Sequence, residues 1–319
     1  MSECDRNIVL QSLVQLGYRC YFGGAMSLLS RHPIGTNVFD REWDALILLD
    51  TCRVDALRQV ARSHPFIGDV DRLVSLGSTS SEWMAQTFNR DYLDEIRQTV
   101  YVSGNAWAEY VFKDRQMPEE HGNAPFSFAD WNVVNANDFL GLEQAWKYGS
   151  DDDSLGHVAP RFITDRAIQI AREHDPGRLI VHYSQPHAPY TAEAITEGRD
   201  ELKPHEEGPK AIRRGVPRSD VWQSYITHLQ YVLKDVELLL DNLDAETVVI
   251  SADHGEGFGT QFNEKFVYGH GPGIPHPAVK VVPWATTTAE DTDAYEPELG
   301  PTATARRTAE GQLQALGYL

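Results

Sequence analysis

The chain has 319 residues, 41% of them hydrophobic, which is enough core for one large α/β domain or two smaller ones. A net charge of −19, from 47 acidic against 28 basic residues, disfavours nucleic acid and anionic membranes as partners. Three cysteines (Cys4, Cys20, Cys52) are too few and too scattered for a disulfide framework, and no run of eighteen apolar residues marks a membrane span.

Residues 1–42 read as an N-terminal extension packing on the core. Met1 to Arg6 carries acids and lacks the basic and apolar regions of a signal peptide, so a cytoplasmic location is expected. Ile8 to Leu16 suits an amphipathic helix, and Gly23-Gly24 and Pro33-Ile34-Gly35 should break the chain beyond it. The core begins at Trp43. Ala45 to Leu49 is an apolar run of the buried-strand kind, and Asp50 stands at its end. A helix is expected to start over Thr51 to Leu57. A carboxylate between a strand end and a helix start is a candidate metal ligand. Arg53 has the planar fork for an anionic substrate group, or else pairs locally with Asp55. Cys52 has only Arg53 beside it to lower its pKa, and reads as buried and inert.

Leu73 to Leu76 predicts a second strand. Gly77-Ser78-Thr79-Ser80-Ser81-Glu82-Trp83 then enters a helix reaching Phe88. One of the four hydroxyls must cap that helix, with Glu82 completing a capping box. Another stands where the helix dipole and a bound cation would favour an alkoxide nucleophile. Thr99 to Val102 predicts a third strand, ending in Ser103-Gly104-Asn105-Ala106. Residues 117–159 read as a loop-rich insertion walling the site. A helix over Arg161 to Glu173 and a strand over Arg178 to His182 lead into Pro186-His187-Ala188-Pro189, whose prolines should present His187 rather than bury it.

Pro204 to Pro217 reads as a mobile polar loop. Between Asp220 and Asn242, apolar residues from Trp222 to Leu240 recur at helical spacing, which is a core stripe. Thr247 to Ile250 is a β-branched run that ends in Ser251-Ala252-Asp253-His254-Gly255-Glu256-Gly257. Glycines at 255, 257 and 259 let the backbone approach a ligand. Asp253 and His254 suit Zn²⁺ or Mn²⁺, and ligands bind outside the carboxyl ends of strands in open α/β sheets; the alternative is an ordinary turn. His270 is a second Gly-flanked histidine. Val279 to Val282 predicts a last strand, and Arg306 to Leu319 a short helix ending Leu-Gly-Tyr-Leu. Strands alternating with helices predict a doubly wound, mostly parallel α/β sheet with helices on both faces.

The pieces come in a set order: strand-Asp50, Gly-Ser-Thr-Ser-Ser-Glu-Trp, Pro-His187-Ala-Pro, Asp253-His254-Gly-Glu, then His270. This resembles the alkaline phosphatase superfamily, in its sulfatase-like branch with lipoteichoic acid synthases and phosphonate monoester hydrolases. The similarity runs from about Trp43 to Pro283, with a further match in the Leu-Gly-Tyr tail. It implies an alkaline-phosphatase-like fold and a hydrolase or transferase acting on a sulfate or phosphate ester. One divalent ion (Mn, Zn, Mg or Ca) would be held by Asp50, Asp253 and His254. His187 and His270 would hold the ester's oxygens, joined by Arg53. The nucleophile matches at Ser80, with Ser78 or Thr79 as the candidate in a shifted alignment. The ester would belong to a small molecule or be linked to a glycan or lipid. The Cys/Ser-x-Pro-x-Arg context for formylglycine is missing, so sulfatase describes the family and not the activity. The Asp220–Asn242 stretch lacks an Asp-x-x-x-His pair, so one ion is expected and not two. A non-catalytic module binding an anionic glycan or a partner is the alternative, and the complete ligand set argues against it.

Lysine is scarce beside arginine, and acids cluster at Asp151-Asp152-Asp153 and Glu206-Glu207. In this the chain resembles the short sulfatase-like proteins of halophilic archaea. Screening should then relieve self-repulsion, and the melting temperature should rise in molar KCl. A flat or falling curve removes the halophile expectation.

Overall fold

Ala45–Leu49 (β1) is buried at all five positions, as an all-apolar strand must be when both faces of its sheet are covered. In this computed structural model the described residues are 3–121, 123–148, 155–259, 267–298 and 308–318, with side chains from Ser12 onward, His121 excepted. The further strands are β2 (Val70–Val74), β3 (Thr99–Ser103), β4 (Gly141–Glu143), β5 (Arg178–Tyr183) and β6 (Ala245–Ser251). Two short strands, β7 (Gly257–Phe258) and β8 (Tyr268–Gly269), form an antiparallel ribbon beside the sheet, and β9 (Val281–Ala289) completes it. The seven-stranded sheet runs β2-β9-β6-β1-β5-β3-β4. Within this sheet, β9 pairs antiparallel with β2 and β6, and the other strand pairings among the described residues are parallel. β1 lies between β5 and β6, parallel to both, so its carboxyl end opens among three strand ends.

Helices occupy the predicted places with shifted ends: α2 (Val54–Ala61), α3 (Ser80–Thr87), Pro160–His174 and Arg218–Leu240. The first helix, α1 (Glu3–Leu29), is far longer than Ile8–Leu16. Gly23 does not break it. A Cβ there would stand 2.1 Å from the Phe126 carbonyl oxygen, so the glycine instead lets the helix backbone approach the 117–159 insertion. That insertion is more than a loop, because β4 adds an edge strand to β3.

Two strand expectations shift. β2 lies at Val70–Val74 and not Leu73–Leu76; it is an edge strand with Asp71 and Arg72 exposed, so no apolar run marks it. Ser75 leaves the sheet and donates its hydroxyl to the Asp253 carbonyl. Val279 belongs to a short helix, Pro277–Lys280, and β9 starts at Val281. Pro204–Pro217 is not featureless, since Pro209–Arg214 forms a 3₁₀ helix. The C-terminal helix is Ala309–Ala315; Arg306 and Leu319 lie outside the described residues, as does Asp151–Asp153. Among the described residues no helix is long and apolar enough to cross a membrane.

Candidate metal centre and active site

Strand register explains the convergence of the acids. Leu48 pairs with His182 on one side and Ser251 on the other, and His182 pairs with Ser103. Asp50, Asp253 and Asn105 each lie two residues past this row. A period of two brings them back to the same face at the same height. Ligands of one ion must each stand about 2.0–2.6 Å from it, so the two carboxylates must lie close together. Ligand atoms of Asp50, Asp253 and His182 all lie within 4.8 Å of one another.

The three groups and His254 are fully buried. His254 Nδ1 lies 3.0 Å from the Gly255 carbonyl, which only an N–H can satisfy. Its Nε2 is thereby turned to the carboxylates, 3.6 Å from Asp50 Oδ1 and 3.5 Å from Asp253 Oδ2. Two carboxylate oxygens and a ring nitrogen thus converge on one small volume. Asp50 Oδ1, Asp253 Oδ2 and His182 Nε2 have no hydrogen-bond partner among the described residues. Two ligands about 2.1 Å from one tetrahedral ion stand about 3.4 Å apart, which is close to these separations. The donor set fits a borderline divalent cation such as Zn²⁺ or Mn²⁺. Without a cation, burial and the Asp253 charge push the Asp50 carboxyl well above the usual range. Burial pushes Asp253 up too, but His254 and His182 outweigh it and hold that carboxyl low. Asn105 Nδ2 donates to Asp50 Oδ2 at 2.9 Å and fixes the carboxylate plane.

The three hydroxyls separate by geometry. Thr79 is the N-cap of α3, its hydroxyl accepting from Glu82 N. Ser78 Oγ donates to Glu82 Oε2 at 2.8 Å, and its amide donates to the same oxygen at 2.9 Å. Glu82 thus reaches one residue before the cap, which departs from the expected capping box. Ser80 Oγ turns to the centre, 3.4 Å from both Asp50 Oδ2 and His254 Nε2.

His187 is not presented. It is 4% exposed, because Tyr318 stacks on its ring at 4.6 Å and His270 packs at 5.1 Å. Burial and the neighbouring His270 hold its pKa well below the usual value. Burial and His254 do the same to His270. Both rings therefore act as neutral imidazoles at pH 7. Arg53 takes the local alternative offered by the sequence. Its guanidinium pairs with Asp55 through Nε and Nη2, and Nη1 donates to the Glu256 carbonyl at 2.8 Å. It braces the Asp253–Gly257 turn and does not line the cavity at the site's mouth. That cavity, about 500 Å³, is walled by Trp107, His187, Lys210, Glu256, His270 and Tyr318. Cys52 is buried, and burial pushes its thiol far up.

Glu256 faces His270 Nδ1 at 3.3 Å. Burial pushes its carboxyl from 4.5 up to about 7. The folded protein then keeps this proton after the unfolded chain has lost it. Stability of the metal-free protein should fall as pH rises from about 4.5 to about 7, by about 3 kcal/mol from this group. Glu256→Gln should flatten that part of the stability–pH curve. Equal slopes in both proteins would contradict the assignment.

Sequence reasoning named no role for His182, Asn105, Glu256 or Tyr318. His182 is the last residue of the strand expected over Arg178 to His182. Its Nδ1 meets the Tyr101 hydroxyl at 2.8 Å, which orients Nε2 toward Asp253 Oδ2 at 3.6 Å. Only the pairing of β5 with β1 reveals it.

No protein-family model matches the chain, and no curated protein matches it. Solved structures do. The soluble domain of lipooligosaccharide phosphoethanolamine transferase A from Neisseria meningitidis is similar with a TM-score of 0.51 at 14% identity, over 78% of this chain and 77% of that one. The C-terminal periplasmic domain of EcEptC from Escherichia coli, in complex with Zn, is similar with a TM-score of 0.42 at 12% identity, over 82% of this chain and 77% of that one. The first likeness is one of fold: the chain shares the α/β fold of that transferase's soluble domain.

Proposed function

We propose that this chain, an alkaline phosphatase/sulfatase superfamily fold built around a buried Asp–Asp–His centre, is a metal-dependent hydrolase or transferase of a phosphate or sulfate ester with Ser80 as nucleophile. One observation carries it: Ser80 Oγ stands 3.4 Å from Asp50 Oδ2 and from His254 Nε2, at the edge of two orphaned carboxylate oxygens. Asp50, Asp253 and His254 would hold the ion, with His182 as a fourth donor. A divalent ion bound there favours the serine alkoxide and offsets charge on the transferred group.

Ser80 Oγ attacks phosphorus or sulfur in line. Its bond to the group forms as the bond to the leaving alcohol breaks, and Asp50 Oδ2 is placed to take the hydroxyl proton. Asn105 keeps that oxygen in position. His187 and His270, as neutral rings, orient the ester's oxygens, and burial keeps competing water away. Water then releases the group, giving hydrolysis, or an acceptor alcohol takes it, giving transfer. The name of the Neisseria protein is that of a transferase, which supports testing acceptors. A free small molecule or a glycan- or lipid-linked ester fits the open mouth.

The test is a screen with Mn²⁺ or Zn²⁺ over 4-nitrophenyl phosphate, bis(4-nitrophenyl) phosphate, 4-nitrophenyl phenylphosphonate and 4-nitrophenyl sulfate, with and without acceptor alcohols. Metal-dependent turnover of at least one is expected. Tight metal binding with no turnover of any would favour the non-catalytic module.

A further inference from the structure

We propose that Leu316-Gly317-Tyr318 is a built-in plug: Tyr318 fills the place of the group to be transferred, and must swing out before an ester enters. The inference rests on Ser80 being the reacting residue. The Tyr318 hydroxyl oxygen lies 3.4 Å from Ser80 Oγ and 3.4 Å from Asp50 Oδ2. A reacting phosphorus or sulfur must stand about 3–3.5 Å from its nucleophile before attack. The phenol oxygen and that atom cannot share the space. The ring obstructs the rest of the pocket. It stacks on His187 with centroids 4.6 Å apart and planes 22° apart, and lies 5.6 Å from His270. Trp107 meets it edge-on at 5.8 Å. Both imidazoles suited to the ester's oxygens are thus covered by the chain's own side chain.

The segment is mounted to move. Helix Ala309–Ala315 is capped by Thr308 and anchored through buried Leu313, and Gln312 Nε2 donates to the Gly104 carbonyl at 3.1 Å. Past that anchor, Gly317 turns with a φ of 76°, a conformation that favours glycine, and open space surrounds it. The Tyr318 amide returns to the Leu313 carbonyl at 2.9 Å. By contrast, both polar contacts of Tyr318 with the site are long, and hydrogen bonds weaken at such distances. Opening would break the Tyr318 amide bond, while Leu313 and Gln312 would keep the helix docked.

A ligand that needs the open form binds with an apparent affinity reduced by the open fraction. With the closed form modestly favoured, removing the plug should tighten an anion by about tenfold. The experiment compares the full chain with Tyr318→Ala and Tyr318→Phe in saturating Mn²⁺. Inorganic phosphate binding is measured by calorimetry, and turnover of the four nitrophenyl esters in parallel. Tyr318→Ala should bind phosphate about tenfold more tightly and raise kcat/KM by a similar factor. Tyr318→Phe keeps the ring and should stay near the parent. Unchanged, weaker or absent phosphate binding in Tyr318→Ala overturns the plug. A fall in kcat/KM also overturns it and makes Tyr318 a catalytic group. Tighter phosphate with no turnover by either protein keeps the plug and removes the ester-cleaving function.

Discussion

Ser80→Ala is expected to abolish turnover, by at least about 10³-fold in kcat/KM, with the fold intact. The effect is large because a hydroxyl that forms the covalent intermediate has no substitute. The fold should survive because the Ser80 Oγ contacts with Asp50, His254 and Tyr318 are all long, at 3.4 Å. Its neighbours behave oppositely. Thr79→Ala removes the α3 cap and should cost about 1 kcal/mol of stability. Ser78→Ala removes one donated bond, to the buried Glu82 carboxylate or the Gly271 carbonyl, and one accepted from the Ile274 amide, and should cost about 1–3 kcal/mol. Both variants should turn substrate over at rates set by how well they fold. Kinetics and thermal melts on the three alanine variants separate the cases. Near-full activity in Ser80→Ala hands the role to whichever neighbour kills activity when removed.

The second large effect is a reversal of sign with metal. At a free Mn²⁺ or Zn²⁺ concentration a hundredfold above Kd, the parent protein should gain about 2.7 kcal/mol of stability. Asp50→Asn should lose that gain. In the metal-free state, however, Asp50→Asn should be the more stable protein, by about 1–3 kcal/mol, because two carboxylates no longer share one buried site. The unpartnered Asp50 Oδ1 and Asp253 Oδ2 motivate this. Thermal unfolding of both proteins, with chelator and with metal, reads both halves. Asp50→Asn destabilised equally under both conditions would mean a structural carboxylate and no ion.

The sheet and the acids of the site were legible because local signals carry them. Asp50 and Asp253 each come after an apolar run, and a buried strand that ends in a carboxylate can be read without knowing its neighbours. The hydroxyl cluster before Trp83 was legible too, although only the geometry of Thr79 and Ser78 sorts cap from brace. What escaped depends on long-range pairing. His182 and Asn105 matter because β5 and β3 lie beside β1, and no spacing within either segment encodes that. Tyr318 reaches Asp50 from 268 positions away. The flanking prolines of His187 suggested display, but its burial comes from Tyr318 and His270, which other segments deliver. β2 was misplaced because its exposed Asp71 and Arg72 break any apolar run along it. Gly23 misled because a glycine that admits a neighbouring backbone looks, in one dimension, like a helix breaker.

The central claim is that one divalent ion sits among Asp50, Asp253 and His254 with Ser80 at its edge. Anomalous diffraction from crystals loaded with Mn²⁺ or Zn²⁺ tests it most directly. A single strong peak about 2.0–2.6 Å from Asp50 Oδ1, Asp253 Oδ2 and His254 Nε2 is the expected result. Metal-loaded crystals with no peak between those three atoms would contradict it.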